Sequence, residues 1–144
     1  IDYARNICEM KNANSTEFKL RTKYPVIALM DGQRGVNKKG ATMRLGSYNC
    51  KVKRNTNGFR AYGTSSIHER HRHRYEVNNK YIEKFEKSGL IISGKNQKLN
   101  LVEMIEIKNH PWFVGVQFHP ELKSRVVKAH PLFRDFIAAA IKNK

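Results

Sequence analysis

The chain has 144 residues, 40% of them hydrophobic, and a formal charge of +16 at pH 7; a chain of that length forms one domain with a real core, burying roughly 70% of its unfolded surface. No stretch reaches the roughly 18 apolar residues of a membrane-spanning helix and none resembles a secretory leader. With only Cys8 and Cys50 and ample apolar residues, disulfide staples are not needed, a reducing compartment fits, and the expectation is a soluble, cytoplasmic protein.

Residues 1–10 have the helical spacing, with Ile1, Ala4, Ile7 and Cys8 on one face. Because Ile1-Asp2-Tyr3-Ala4-Arg5 reads as the middle of an amphipathic helix, an N-terminally truncated start is expected. After the polar break Asn12–Thr16, the run Tyr24–Met30 is almost continuously apolar, the pattern of a strand covered on both faces. Asp31–Gly40 is a loop rich in glycine and lysine. Thr42–Gly46 and Tyr48–Lys53 form one strand or two, interrupted at Gly46 by a bulge or bend, and Asn55–Gly58 is a turn. Ser66–Asn78 is extended and highly charged. Asn79 caps a helix to Lys87 that Ser88-Gly89 closes. Leu90–Ser93 and Leu99–Ile107 are strands joined by the turn Gly94–Gln97, and Trp112–Phe118 is another apolar strand. His130-Pro131 opens the last helix, with Leu132, Phe133, Phe136, Ile137, Ala140 and Ile141 as its apolar stripe. Buried, parallel-type strands mixed with helices predict an α/β layered fold over 1–144.

Two patterns carry chemistry. Gly115-Val116-Gln117-Phe118-His119-Pro120-Glu121 ends a strand with an imidazole and a carboxylate two residues apart. Extended backbone points i and i+2 to one side, and Pro120 biases His119 toward that conformation. Glu121 can then fix the tautomer of His119 and leave its other nitrogen as a base, two thirds of a catalytic triad. A surface His-Pro turn beside an acid is the plain alternative. The second pattern is Ile67–Asn78, with a period of two: His68, Arg70, Arg72 and Arg74 on one face, Glu69, His71, His73, Tyr75 and Val77 on the other. An arginine row suits bidentate recognition of carboxylate or phosphate, while a solvated basic edge strand is equally consistent with it. His71 and His73 converge like a metal pair, but no cysteine or carboxylate cluster completes a ligand set. The basic excess raises nucleic acid through Arg70, Arg72 and Arg74 as a partner. Lysines are scattered along the chain, however, and compositional bias is the preferred account.

The run Glu69-Arg70-His71-Arg72-His73-Arg74-Tyr75-Glu76-Val77-Asn78-Asn79 resembles the signature of the CTP synthase family, within its class I glutamine amidotransferase domain. Asn14–Phe18, Thr42–Gly46, His110–Val114, Gln117–Glu121 and His130–Phe133 match the same family in the same order. The resemblance covers essentially the whole chain, and it implies a partial flavodoxin-like three-layer α/β/α domain and a reaction. In that reaction a cysteine thiolate attacks the side-chain amide of glutamine, a histidine acts as acid and base, and ammonia passes to an amidoligase domain that activates UTP with ATP. His119 matches the histidine and Glu121 the carboxylate that orients it. Glu17 matches the residue that receives the substrate ammonium, and Arg74 the one that binds its carboxylate; a zwitterion held in register needs one fixed charge of each sign.

The resemblance further implies ATP, Mg2+ and the activator GTP for the full-length enzyme, with no cofactor in this chain, and a homo-oligomer, a tetramer, in the full enzyme; from the scattered lysines and the lack of an apolar span, neither a nucleic-acid nor a membrane partner is expected. The loop Gln33–Lys39 is a candidate contributor to the GTP site, and Gly32 stands where the family often has an acid. The family nucleophile sits in a Gly-x-Cys-x-Gly elbow, and these 144 residues contain none. Cys8 and Cys50 lack flanking glycines and are assigned to packing. The isolated chain is therefore expected to be inactive, to expose a sheet edge and apolar helix faces and to be marginally stable. A non-catalytic binding or assembly module and a basic nucleic-acid-binding protein are the other readings.

Overall fold

A computed structural model describes residues 1–29 and 43–144, so the loop reading at Asp31–Gly40 and its proposed GTP role lie outside the described residues. The strands are β1 (Ala13–Ser15), β2 (Tyr24–Ala28), β3 (Arg44–Val52), β4 (Ser66–His73), β5 (Glu76–Val77), β6 (Leu90–Asn96), β7 (Leu101–Ile107) and β8 (Val114–Val116). The helices are α1 (Asp2–Asn6), α2 (Asn57–Tyr62), α3 (Ile82–Lys87) and α4 (Pro131–Lys142). They divide into two compact units: Ile1–Arg44 with His73–Leu90, and Leu45–Arg72 with Ile91–Lys144.

In the first unit, β1, β2 and β5 form a three-stranded sheet with β2 central, parallel to β1 and antiparallel to β5. Ala4, Cys8, Met10, Ala13, Val26 and Phe85 are buried. The helix expected over residues 1–10 is shorter, and only Ala4 and Cys8 of its expected face are buried, Ile1 and Ile7 being exposed. The N-cap ahead of α3 is Asn78, not Asn79: its side chain accepts from the Lys80 amide at 3.1 Å and opens a 3-10 turn, Asn79–Tyr81, that runs into α3. Gly89 ends that helix region at φ +94°, a conformation that disfavours any side chain.

The second unit is built on a five-stranded sheet in the order β4-β3-β6-β7-β8. β3 runs unbroken through Gly46, whose φ of +100° is the bend the sequence indicates. β3 pairs antiparallel with β6, and β7 antiparallel with β8. The parallel-type reading of the Trp112–Phe118 run is thus corrected: only Val114–Val116 form the strand, all half-buried, returning beside β7. An apolar run alone does not distinguish the two pairings. The β6–β7 turn falls after Asn96, later than expected, where its side chain accepts from the Leu99 amide at 2.9 Å and Asn100 takes φ +55°.

Cys50, Val52, Ala61, Ile67, Met104, Phe118 and Leu132 form the core of this unit, packed by Phe59, Tyr62, Trp112, Val114 and Val116. Helix α2 occupies the place expected of a turn. Thr56 caps it, accepting from the Phe59 amide at 3.1 Å, and the buried Glu106 carboxylate receives the Asn57 and Gly58 amides at 2.8 and 2.9 Å. One carboxylate across two amides at a helix N-terminus satisfies orphan donors and complements the dipole. Helix α4 buries Leu132, while Phe133, Phe136, Ile137 and Ile141 stay exposed, and Trp112, Phe113, Val114, Val116, Pro120, Leu132, Phe133 and Phe136 line an apolar groove of about 280 Å³. No described helix is long and apolar enough to cross a membrane.

Candidate active site

β8 delivers Phe118 into the core and His119 to the surface. The His119 amide donates to the Arg70 carbonyl of β4 at 2.9 Å, and His119 is extended at φ −112°, ψ 90°, as a residue before proline should be. Glu121 is not on a continued strand. Pro120–Leu122 is a 3-10 turn closed by the Leu122 amide on the His119 carbonyl at 3.1 Å. This tight turn, rather than strand alternation, brings the Glu121 carboxylate to 2.7 Å from Nδ1 of His119. The hydrogen bond from His119 is the main cause that holds the Glu121 carboxyl below its ordinary pKa, with a smaller contribution from the Arg72 charge. The contact assigns Nδ1–H as donor and leaves Nε2 as the nitrogen available for proton transfer. The side chains are 34% and 57% exposed, so the pair is solvated.

β4 carries the alternation predicted for it: His68, Arg70 and Arg72 are exposed, Glu69 and His71 buried. Glu69, 1% exposed, is a hub that sequence reasoning placed only on a face. It accepts from Tyr62 Oη at 2.9 Å, from His130 Nε2 at 3.2 Å and from Lys123 Nζ at 3.2 Å. His130 Nδ1 accepts from the Leu132 amide at 3.3 Å, which caps α4 and fixes the proton on Nε2. Burial opposes the Glu69 charge, but the hydrogen bonds from His130 and Tyr62 and the Lys123 ammonium outweigh it and hold the carboxyl below its ordinary range. Burial and the same carboxylate push the Tyr62 phenol up. His71 Nε2 lies 3.4 Å from Glu103 Oε2, both fully buried, with the His71 ring edge-on to Tyr48 and Phe118. His71 is thus committed to the core. Among the described residues no group of three or more His, Cys, Asp or Glu could hold a metal ion.

The other two candidate residues belong to the first unit. Glu17 is exposed in the turn after β1, its amide donating to Ser15 Oγ at 3.1 Å. Arg74 is half-buried between β4 and β5, and among the described residues its buried Nε meets no acceptor. The segment around it is fixed by Glu76, buried and paired with Arg44 Nη1 at 3.3 Å and His73 Nδ1 at 3.4 Å.

Residues 13–139 match the model of the glutamine amidotransferase class-I family. The chain belongs to that family. Among curated proteins it is similar to CTP synthases: it is 61% identical over 142 residues to the CTP synthase of Chloroherpeton thalassium and 55% identical over 144 residues to that of Clostridium kluyveri. These alignments take in 99% and 100% of the chain but 26% and 27% of those proteins, so the chain spans about a quarter of their length. It is also similar to the solved glutaminase domain of Trypanosoma brucei CTPS with bound acivicin. That likeness has 36% identity and a TM-score of 0.91 and covers 99% of this chain and 55% of that one. The mixed α/β architecture is that of a class I amidotransferase domain.

Proposed function

We propose that this chain forms part of the glutaminase domain of a CTP synthase, which hydrolyses glutamine and passes the ammonia to an amidoligase domain for the ATP-dependent amination of UTP. The observation that carries the reading is the 2.7 Å contact between His119 Nδ1 and Glu121 in a chain of this family. Nε2 of His119 takes the proton of the cysteine thiol, and the resulting thiolate attacks the side-chain amide carbon of glutamine. As the C–N bond breaks, Nε2 of His119 gives its proton to the leaving nitrogen and ammonia departs, leaving a thioester. Nε2 then takes a proton from the attacking water, and glutamate leaves as the thiol is restored. Glu121 holds the ring and favours the imidazolium that forms in between. Glu17 receives the α-ammonium and Arg74 the α-carboxylate, one fixed charge of each sign for the zwitterion.

The nucleophile comes from outside these 144 residues. Cys8 and Cys50 are 3% and 0% exposed, and a thiol packed in a core cannot reach a substrate. ATP, Mg2+, GTP and the tetramer belong to the full-length reaction, and no residue described here is assigned to them. The test is ammonia release from glutamine. The 144-residue chain alone should release none, while the full-length protein should release it and lose roughly 10²–10⁴-fold in kcat on His119→Ala. Full activity of the His119→Ala protein, or His119-dependent activity of the isolated chain, would refute the assignment.

A further inference from the structure

The His119–Glu121 pair is exposed on both sides, so its geometry depends on the backbone turn that carries it. That turn is anchored to β4 at two points. Its start is held by the His119 amide on the Arg70 carbonyl, 2.9 Å. Its end is held by Lys123, whose amide closes the turn on the Pro120 carbonyl at 3.0 Å and whose ammonium reaches the His68 carbonyl at 2.6 Å and the Glu69 carboxylate at 3.2 Å. Ser124 adds a tie: its amide also bonds Pro120, and its hydroxyl accepts from the His130 amide at 3.2 Å. Glu69 is itself fixed by Tyr62 and His130 from two other elements.

We propose that Lys123 and Glu69 are positioning residues for glutamine hydrolysis, a buried-carboxylate brace that clamps the far end of the Pro120–Leu122 turn and so sets the angle between His119 and Glu121. The inference rests on the glutaminase reading of that pair. Neither residue touches the reacting atoms; they act on the transition state by holding the base in register, where misplacement by about 1 Å can cost on the order of 10²-fold. The ammonium suits the task because Glu69 brings a full charge into a buried setting, and losing one partner of such a pair leaves the other uncompensated.

The experiment uses the full-length protein carrying Lys123→Met, which keeps the length of a half-exposed side chain, with Lys123→Arg as the conservative control. Lys123→Met should lower kcat for glutamine hydrolysis by about tenfold or more with KM within about twofold, and Lys123→Arg should restore most of it. In a Glu121→Ala background the same substitution should cost far less, since there is no pair left to align. Hydrogen exchange of the peptide 119–124 should quicken in Lys123→Met while that of β7 stays unchanged. A KM effect alone, full additivity with Glu121→Ala, or unchanged exchange at 119–124 would overturn the brace. Absence of His119-dependent glutamine hydrolysis in the unsubstituted protein would instead overturn the glutaminase reading, and the exchange measurement would still decide whether Lys123 fixes the turn.

Discussion

Replacing Glu121 by Gln tests how much the carboxylate contributes as a charge rather than as a hydrogen-bond acceptor. The amide has nearly the same size and can still accept from Nδ1, but it cannot stabilise an imidazolium electrostatically. Two unit charges about 4 Å apart interact by ~1 kcal/mol in bulk water and ~4 kcal/mol near a protein surface. Glu121 is 57% exposed and His119 34%, so solvent screening places the pair toward the lower limit, about 1–2 kcal/mol. Converted to rate, that is about five- to thirtyfold in kcat. A fully buried orienting acid is worth far more, on the order of 10⁴-fold. The assay is steady-state glutamine hydrolysis by the full-length protein, with His119→Ala alongside. A loss above about 10³-fold for Glu121→Gln would refute the reasoning, because it would mean that the pair works in a setting drier than the one found here.

Two further outcomes concern the fold. Glu106→Ala removes both acceptors at the N-terminus of α2 and leaves the Asn57 and Gly58 amides buried without a partner. Hydrogen bonds to a charged group contribute about 1.5–3 kcal/mol each, so denaturant unfolding should show a loss of about 3 kcal/mol, and a loss below about 1 kcal/mol would mean that α2 does not need this anchor. The second concerns acid. The Glu69 carboxyl is held below its ordinary value of 4.5 in the folded chain, so its contribution is fully present above that value and is lost as pH falls through the folded one. Melting temperature measured from pH 7 to pH 2 should fall below pH 4.5, and Glu69→Gln, less stable at neutral pH, should show a flatter acid limb; parallel limbs would remove Glu69 from the account.

The period of two at Ile67–His73 was legible in full: it sorted buried Glu69 and His71 from exposed His68, Arg70 and Arg72. What alternation cannot supply is what lies across from the buried face. The partners of Glu69 are Tyr62, Lys123 and His130, the last two more than fifty residues away, so the hub was read only as one side of a strand. A glutamate alternating into a buried face was the available signal, since an isolated buried carboxylate is too costly to stand without donors. The His119–Glu121 pair was legible as residues but not as geometry, because Pro120 starts a turn where strand spacing was assumed. Helix α2 was missed because its six residues are too few for a periodicity and its N-terminus is fixed by Glu106, 48 and 49 residues away from the amides it holds. In α4 the apolar stripe identified the helix, yet only Leu132 of it is buried; periodicity predicts a face, not its cover.

These observations assign the most charged strand of the molecule two uses that its composition alone left open. Facing inward, β4 offers a carboxylate at Glu69 that anchors Lys123, and through its backbone it holds His119 at Arg70. Facing outward, it exposes Arg70 and Arg72, and the Arg72 charge helps to keep Glu121 ionised. A cation near an acid favours the charged form of that acid. Arg72 therefore makes a minor local contribution to the candidate site, beside the larger one of the His119 hydrogen bond. Neutralising Arg72 while leaving Arg70 should raise the pKa of Glu121, whereas neutralising Arg70 should leave it nearer its original position. Carboxyl titration of Glu121 by NMR in Arg72→Gln and Arg70→Gln separates the two, and equal shifts would reduce the strand's outward face to general positive potential.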